Sequence, residues 1–402
     1  MRTLVVGGTG FIGEALCREL DRRGNDVTAM ARDPAAADLP GDVDRVAGDV
    51  TDYDAIEPAF EGQDAVINLV ALSPLFRPAG GNEKHFTVHR DGTDTVVRAA
   101  EAHGVDRLVQ MSALGADPDA ETAYLQSKGL AEAIVRESTL EWTIFRPSVV
   151  FGQGEEFIPY TKLLAPPYLT PLPGGGKTRF QPIWIGDLVP MLADAVEGAA
   201  PGTDEAAGQA DDAGSSDESS NDAGSSDAVE PAPDGDPGDG VEPAPDGDPG
   251  DGVGTATDGV AGDEGNPDAG SPDDDRTPAE RRAEPGGPAP DGNPHAGQVY
   301  EIGGPEVLTL AEVAALAHAT DGKPVDVVSI PMPLAKIGLS SLDHVPAWLL
   351  DALPGVPRMG ADQYRSLQFD NTVADNDVTA FGVDPSELTT VAAYLDVDPV
   401  EP

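Results

Sequence analysis

Cysteine, basic residues and long apolar runs are scarce in this chain, and each scarcity excludes something. One cysteine, Cys17, stands among 402 residues, so neither an intramolecular disulfide framework nor a four-cysteine metal site can form. The six histidines are scattered and offer no ligand cluster. Only 24 residues are Lys or Arg against 72 acids, a net charge of -48. That balance lacks the basic footprint that binding to nucleic-acid phosphates requires. No run approaches the 18 apolar residues of a membrane-spanning helix. Met1-Arg2-Thr3 leads straight into Leu4-Val5-Val6-Gly7, without the charged and apolar regions of a secretory signal. The expectation is a cytoplasmic protein.

The acid excess is spread along the chain. Residues 201–296 carry 26 acids and three arginines, a net of -23, which leaves -25 for the rest. Lysine is the minority base, six against 18 arginines. Such a surface reads as adaptation to a salt-rich cytosol. At molar salt the Debye length falls to ~3 Å, which screens the chain's self-repulsion.

Residues 201–296 are low in complexity. Val229–Gly240 repeats identically as Val241–Gly252, and no aromatic residue occurs in the whole segment. Asp, Gly, Pro, Ser and Ala cannot bury enough surface to offset the entropy of ordering. A solvated, disordered insertion is expected, and loop-closure cost grows slowly enough to tolerate it. Two foldable blocks remain. Residues 1–200 form a nucleotide-binding block whose substrate side begins at about 151. Residues 297–402 supply a C-terminal strand and a substrate-side region that complete the same domain.

Block one alternates short apolar runs (Thr3–Val6, Val27–Ala31, Ala65–Ala71, Arg107–Met111, Trp142–Val150) with helical patterns (Ile12–Arg23, Ala55–Phe60, Phe86–His103, Tyr124–Ser138). That alternation predicts βαβ units and a doubly wound, mostly parallel α/β sheet.

Four motifs carry chemistry on this frame. Gly7-Gly8-Thr9-Gly10-Phe11-Ile12-Gly13 follows the first strand and opens the first helix. Gly7 permits the tight turn, Gly10 a close approach to a pyrophosphate, and Gly13 close helix packing. The helix N-terminus supplies N–H groups and a positive dipole end. At the end of the second strand stands Arg32, which suits the 2′-phosphate of NADP(H). Asp33 beside it would instead favour NAD(H). Gly48-Asp49-Val50 ends another strand, where Asp49 can accept from an adenine amino group while Val50 packs on the ring. Finally Ser112 ends a strand and precedes Tyr124-Leu125-Gln126-Ser127-Lys128, with Glu132 beyond. Tyr124 and Lys128, four apart, share a helix face. A nearby ammonium would lower the phenol's pKa, making Tyr124 an acid/base and Lys128 a ribose ligand. Ser112 would hydrogen-bond a substrate carbonyl.

Together with Asn68-Leu69-Val70-Ala71 and Arg146-Pro147-Ser148-Val149, these motifs resemble the extended or atypical short-chain dehydrogenase/reductases. The resemblance implies that Asn68, Leu69, Val70 and Ala71 line the cofactor and that Pro147, Ser148 and Val149 pass near the nicotinamide. The C-terminal series Gly297–Glu306, Leu353–Pro357, Asp362-Gln363-Tyr364, Leu367, Asp370-Asn371 and Phe381-Gly382-Val383 resembles the subgroup related to the Rossmann-type accessory subunit of respiratory complex I. Members of that subgroup bind NADP(H), and some are linked to quinone pathways or complex assembly. One departure is His89, which stands where the family carries an asparagine that holds active-site backbone and a water. It weighs toward cofactor binding over turnover.

Three functions fit: an NADP(H)-dependent oxidoreductase acting on an unknown carbonyl or alcohol, a non-catalytic NADP(H)-binding accessory or assembly protein, and a nucleotide-sugar epimerase or dehydratase. The intact Ser112/Tyr124/Lys128 set puts the oxidoreductase first. Gly174–Thr178 reads as a hairpin or loop near the substrate cleft, with Arg179, Phe180 and Gln181 lining it. Cys17 reads as a buried apolar residue. The apolar stretch Pro333–Leu353 could face a membrane or respiratory complex. Pro346 and the stretch's small positive charge favour packing over the cleft instead.

Overall fold

The computed structural model describes residues 1–168, 170–200, 292–330, 362, 365 and 369–399, all within one compact unit. Residues 201–291 of the expected insertion, the Pro333–Leu353 stretch, Leu353–Pro357, Gln363, Tyr364 and Leu367 lie outside the described residues.

Along the chain come β1 (Arg2–Val6), α1 (Phe11–Arg22), β2 (Asp26–Ala31), β3 (Asp44–Ala47), α2 (Tyr53–Ile56), β4 (Ala65–Asn68) and α3 (Glu83–His85). A six-residue π-helical stretch, Phe86–Asp91, joins α3 to α4 (Gly92–His103). Then follow β5 (Arg107–Met111), α5 (Ala123–Glu137), β6 (Glu141–Pro147), β7 (Val150–Phe151), α6 (Phe157–Leu164), β8 (Thr170–Pro173), β9 (Arg179–Phe180), β10 (Ile183–Trp184) and α7 (Ile185–Glu197). After the undescribed segment come β11 (Gln298–Ile302), β12 (Leu308–Thr309), α8 (Leu310–Ala319), β13 (Val327–Ile330) and α9 (Val391–Leu395).

Seven strands form one parallel sheet in the order β11-β6-β5-β4-β1-β2-β3. This is the expected doubly wound α/β fold. Leu4, Val5 and Val6 are all fully buried, because a parallel strand is covered on both faces. The period of two divides them. Val5 joins Ile67, Val109 and Phe145 under α1 and α7. Leu4 and Val6 join Val66, Leu108 and Ile144 under α4 and α5. A third core, built from Phe151, Phe157, Phe180, Leu310 and Val391, holds α6, α8 and α9 together on the substrate side.

The chain lays down β1, β2 and β3 in one direction, then returns to β4 on the other side of β1. Such a reversal opens a crevice at the strands' carboxyl ends.

Two boundaries differ from the sequence reading. The Ala65–Ala71 run is a strand only to Asn68, because the chain beyond turns out to wall the crevice. Residues 292–296, assigned to the insertion, belong to the folded unit. His295 is 1 % exposed. Its Nε2 donates to the Ala199 carbonyl (3.0 Å) and its Nδ1 accepts from the Tyr300 hydroxyl (2.9 Å). A histidine amid polar residues gave no local sign of that burial.

Candidate functional site

The glycine turn is built as its spacing implies. Gly7 leaves β1 with φ +89°, a conformation that L side chains rarely adopt. The N–H groups of Gly7 and Gly8 donate to the Met30 carbonyl (2.8 and 3.1 Å), which ties the turn to the end of β2. A Cβ on Gly13 would lie 2.2 Å from the Gly7 carbonyl oxygen, so α1 packs directly on the turn. Gly10 caps α1 without any side-chain hydrogen bond. The helix therefore presents an end uncapped by side chains, which fits a dinucleotide pyrophosphate.

A cavity of about 1020 Å³ opens beside this turn. It brings together Gly7, Gly10, Phe11, Ile12, Gly13, Leu69, Ala71, Ser112, Tyr124, Lys128, Pro147, Ser148 and Val149. Thr9 stays in the turn outside the lining. Asn68 and Val70 also fall outside it. Asn68 is buried and its amide donates to Gln110 (3.0 Å) and Thr93 (3.2 Å) while accepting from the Val70 N–H (3.2 Å). It holds the loop that lines the cofactor space and does not itself face that space.

Tyr124 and Lys128 project from one face of α5, whose N-cap Thr122 accepts from the Leu125 N–H. Lys128 is 1 % exposed, and its ammonium donates to the carbonyls of Met111 (3.0 Å) and Val70 (3.5 Å). Burial, opposed by the charge of Glu132, brings its pKa down to about 8. The Tyr124 phenol goes the other way. Burial pushes it up to about 12, so the expected lowering by Lys128 is not met in this arrangement.

Ser112 meets a buried acid. Its hydroxyl donates to Glu132 Oε1 (2.5 Å), so the proton that would polarise a carbonyl is already committed. Glu132 is fully buried. It also accepts from Arg146 (2.8 and 2.7 Å) and Arg136 (2.9 Å). Ser148 is likewise engaged, within 2.7 Å of Asn371 Oδ1 and accepting from the Gln181 N–H (3.2 Å).

His89 proves to be a buried clamp, which local sequence could not show. Its Nε2 accepts from the Leu72 N–H (2.9 Å), so the proton sits on Nδ1 and is donated to Ser127 Oγ (2.9 Å). Ser127 in turn donates to the Tyr124 carbonyl (2.8 Å). One imidazole thus fastens the loop after β4 to α5. Burial, with help from the charge of Lys128, holds its pKa down at about 2. His85 and His89 both meet the Tyr124 ring edge to face, at 5.8 and 5.4 Å. His85 and His89, four apart, share the helical face turned to α5.

Arg32, Asp49 and Val50 lie outside the cavity, at the carboxyl ends of the neighbouring strands β2 and β3. Arg32 is exposed. The Asp49 carboxyl is held below its usual range, first by the Thr51 N–H and in smaller part by the charge of Arg32. Val50 is buried against the backbone of Gly92, where a Cβ would come within 2.7 Å of its methyl.

Phe180 lines the cavity, but Arg179 and Gln181 do not. Arg179 is paired with Asp370 (2.6 Å). Gly174–Thr178 is a turn joining β8 to β9, which pair with β13 and β12 and not with each other. Cys17 is buried and its thiol is pushed up to about 12, so it is inert. Glu155, missed by the sequence reading, lines the cavity at the start of α6. Among the described residues no metal-binding cluster occurs, and no helix is long and apolar enough to cross a membrane.

A parallel sheet that reverses beside a glycine turn, with Tyr and Lys on the facing helix, defines a dinucleotide-binding Rossmann protein. The chain belongs to the NAD(P)H-binding short-chain dehydrogenase/reductase family. A family model described as NAD(P)H-binding matches residues 7–157. A 2-alkyl-3-oxoalkanoate reductase of Stenotrophomonas maltophilia is 31% identical over 224 residues, 50% of this chain and 67% of the relative. Subunit 9 of the NADH dehydrogenase [ubiquinone] 1 alpha subcomplex of Arabidopsis thaliana is 29% identical over 201 residues, 48% of this chain. The chain spans about half of that subunit's length, 49%. A UDP-glucose 4-epimerase of Thermus thermophilus in complex with NAD matches 98% of this chain and 99% of its own, with a TM-score of 0.50 and 16% identity. At that identity the likeness speaks for the fold alone.

Proposed function

We propose that the protein is an NADP(H)-dependent oxidoreductase of the short-chain type that reduces a carbonyl compound. The observation that carries this reading is the cavity, which places Tyr124 and Lys128 on the same space as the glycine turn and Pro147–Val149. The bound cofactor would supply hydride chemistry at the nicotinamide ring. The chain's own residues do the rest. The α1 N-terminus would hold the pyrophosphate, and Arg32 would meet the 2′-phosphate. Lys128, anchored on two carbonyls, would present its third proton to the ribose hydroxyls. Tyr124 keeps its proton because burial raises its pKa. It would therefore act as the proton donor to the oxygen of a carbonyl being reduced. Ser112 lines the same cavity, where its hydroxyl, resting on Glu132, would stand beside the substrate oxygen.

A second reading, an NADP(H)-binding accessory protein, is favoured by the committed Ser112 hydroxyl and by the complex I subunit relatives. Tyr124→Phe separates the two. With NADPH and a panel of carbonyl compounds, turnover should fall by on the order of 10²–10⁴-fold, the usual contribution of a positioned acid, while NADPH affinity survives. Lys128→Ala should weaken both. Turnover unaffected by Tyr124→Phe would end the catalytic assignment. NADPH binding without turnover of any carbonyl would favour the accessory role.

A further inference from the structure

The cavity lining is chemically mixed. The glycine turn and Lys128 form one part of it, and Leu72, Leu75, Leu125, Phe157 and Leu164 form an apolar part. Charge around the cavity is one-sided. Asp117, Asp119, Glu121, Glu155 and Glu156 line it and form no ion pair among the described residues. Arg146 and Arg179, the arginines nearest in sequence to the lining, are taken by Glu132 and by Asp370. Lys128 is the basic residue of the described lining. It is buried, donates to the carbonyls of Met111 and Val70, and would give its remaining proton to the cofactor ribose.

Glu155 reports the local field. Its carboxylate accepts from the N–H groups of Phe157 and Ile158, the latter at 3.0 Å, contacts that ordinarily favour ionisation. It is nonetheless pushed up to about 7, by burial and by the charge of Glu156. One negative charge is already costly there, and a second, brought by a ligand, would meet no free cation in the described wall.

Resting on the oxidoreductase reading, we infer that the cavity selects an uncharged carbonyl compound with an apolar tail and rejects carboxylated or phosphorylated ones. The apolar wall takes the tail. A carboxylate or diphosphate would leave water without gaining a partner and would share the cavity with five acids. This turns the site away from nucleotide sugars, and from 3-oxoalkanoates bearing a free carboxylate. The cofactor's own phosphates would be met by the N–H groups of the α1 N-terminus and by Arg32, partners that a substrate anion lacks.

The test uses the full chain loaded with NADPH, and a ligand pair differing by one charge. The pair is a long-chain methyl ketone and the 3-oxoalkanoate that adds a carboxylate to it. UDP-glucose is the third arm. The ketone should show a kcat/KM higher by about ten-fold or more, the scale of like-charge rejection at an interface. Asp119→Asn, Glu121→Gln and Glu156→Gln together should narrow that ratio, and so should 1 M salt. Calorimetry on the protein loaded with NADP⁺ reads the same preference without turnover. If the ketone binds but never oxidises NADPH, the oxidoreductase reading falls and the inference stands. If the oxoalkanoate or UDP-glucose binds as tightly as the ketone, or the ketone does not bind, the inference is overturned whatever the turnover.

Discussion

At the scale of single residues, two side chains give sharp expectations. Arg32 stands exposed at the end of β2, and its worth lies in the phosphate it would meet. Arg32→Ala should cost ~2–3 kcal/mol of NADPH affinity, the scale of a charged hydrogen bond to phosphate, and leave NADH nearly untouched. Equal losses in calorimetric titrations with the two cofactors would remove Arg32 from the site. The second is His89, buried with both ring nitrogens engaged. Burial lowers the pKa of His85, His89 and His295 in the fold, whereas an unfolded histidine titrates near 6.5. Unfolding therefore takes up protons once pH drops below ~6.5. The stability of these groups is full above that value and is lost as pH falls. Each contributes a slope of up to ~1.4 kcal/mol per pH unit. His89→Asn should lower stability at pH 7.5, because Asn cannot span from Leu72 to Ser127. It should also flatten the slope between pH 6.5 and 5.5 by about one proton. Denaturant unfolding at several pH values reads both, and an unchanged slope would mean that His89 already carries a proton in the fold.

At the scale of elements, the packing of α1 on α7 depends on one buried cation. Arg23 follows α1, and its side chain is 8% exposed. It donates to Glu19 (2.8 Å), Asp194 (2.6 Å) and Glu197 (2.8 Å) and to the Pro190 carbonyl (3.3 Å). Leu16, Cys17 and Leu20 of α1 meet Leu188, Leu192 and Val196 of α7 in the same core. Arg23→Ala would leave three carboxylates facing one another. The expected cost is ~3 kcal/mol, the lower end for breaking a buried ion pair, since the acids are partly solvated. Added salt should recover part of it. Arg23→Lys should recover less than the wild-type stability, because an ammonium lacks the fork that engages several acceptors at once. A loss in Arg23→Ala below ~0.5 kcal/mol, the range of an ordinary surface change, would show that the clamp is idle.

At the scale of the whole molecule, the question is where the foldable chain stops. His295 lies hydrogen-bonded to Ala199, so the two ends of the intervening segment emerge side by side. A short Gly/Ser linker can therefore replace residues 201–291. Their composition holds no aromatic residue to bury, and the expected change in melting temperature and NADPH affinity at matched salt is close to nil. Extending the deletion to residue 296 removes buried Asn293 and His295 and should destabilise the protein by ~2 kcal/mol or more, as loss of a buried hydrogen-bonded pair does. Equal melting temperatures for the two deletions would overturn the new boundary.

The sequence by itself determined the frame and half of the site. Runs such as Leu4-Val5-Val6 are buried on both faces wherever they occur, so their alternation with helical patterns specifies a parallel sheet. The turn Gly7–Gly13 needs glycine for local backbone reasons, and Tyr124 and Lys128 share a face by helix geometry alone. Local rules suffice for features that local forces build. The tertiary structure decided what depends on distant partners. Ser112 loses its donor to Glu132, twenty residues on, and Asn68 turns to Thr93 and Gln110. His89 becomes a clamp only because Leu72 and Ser127 converge on it. Protonation states follow the same division. The Tyr124 phenol is raised by burial and not lowered by Lys128, because desolvation is a property of everything packed around a group, which no spacing along the chain encodes.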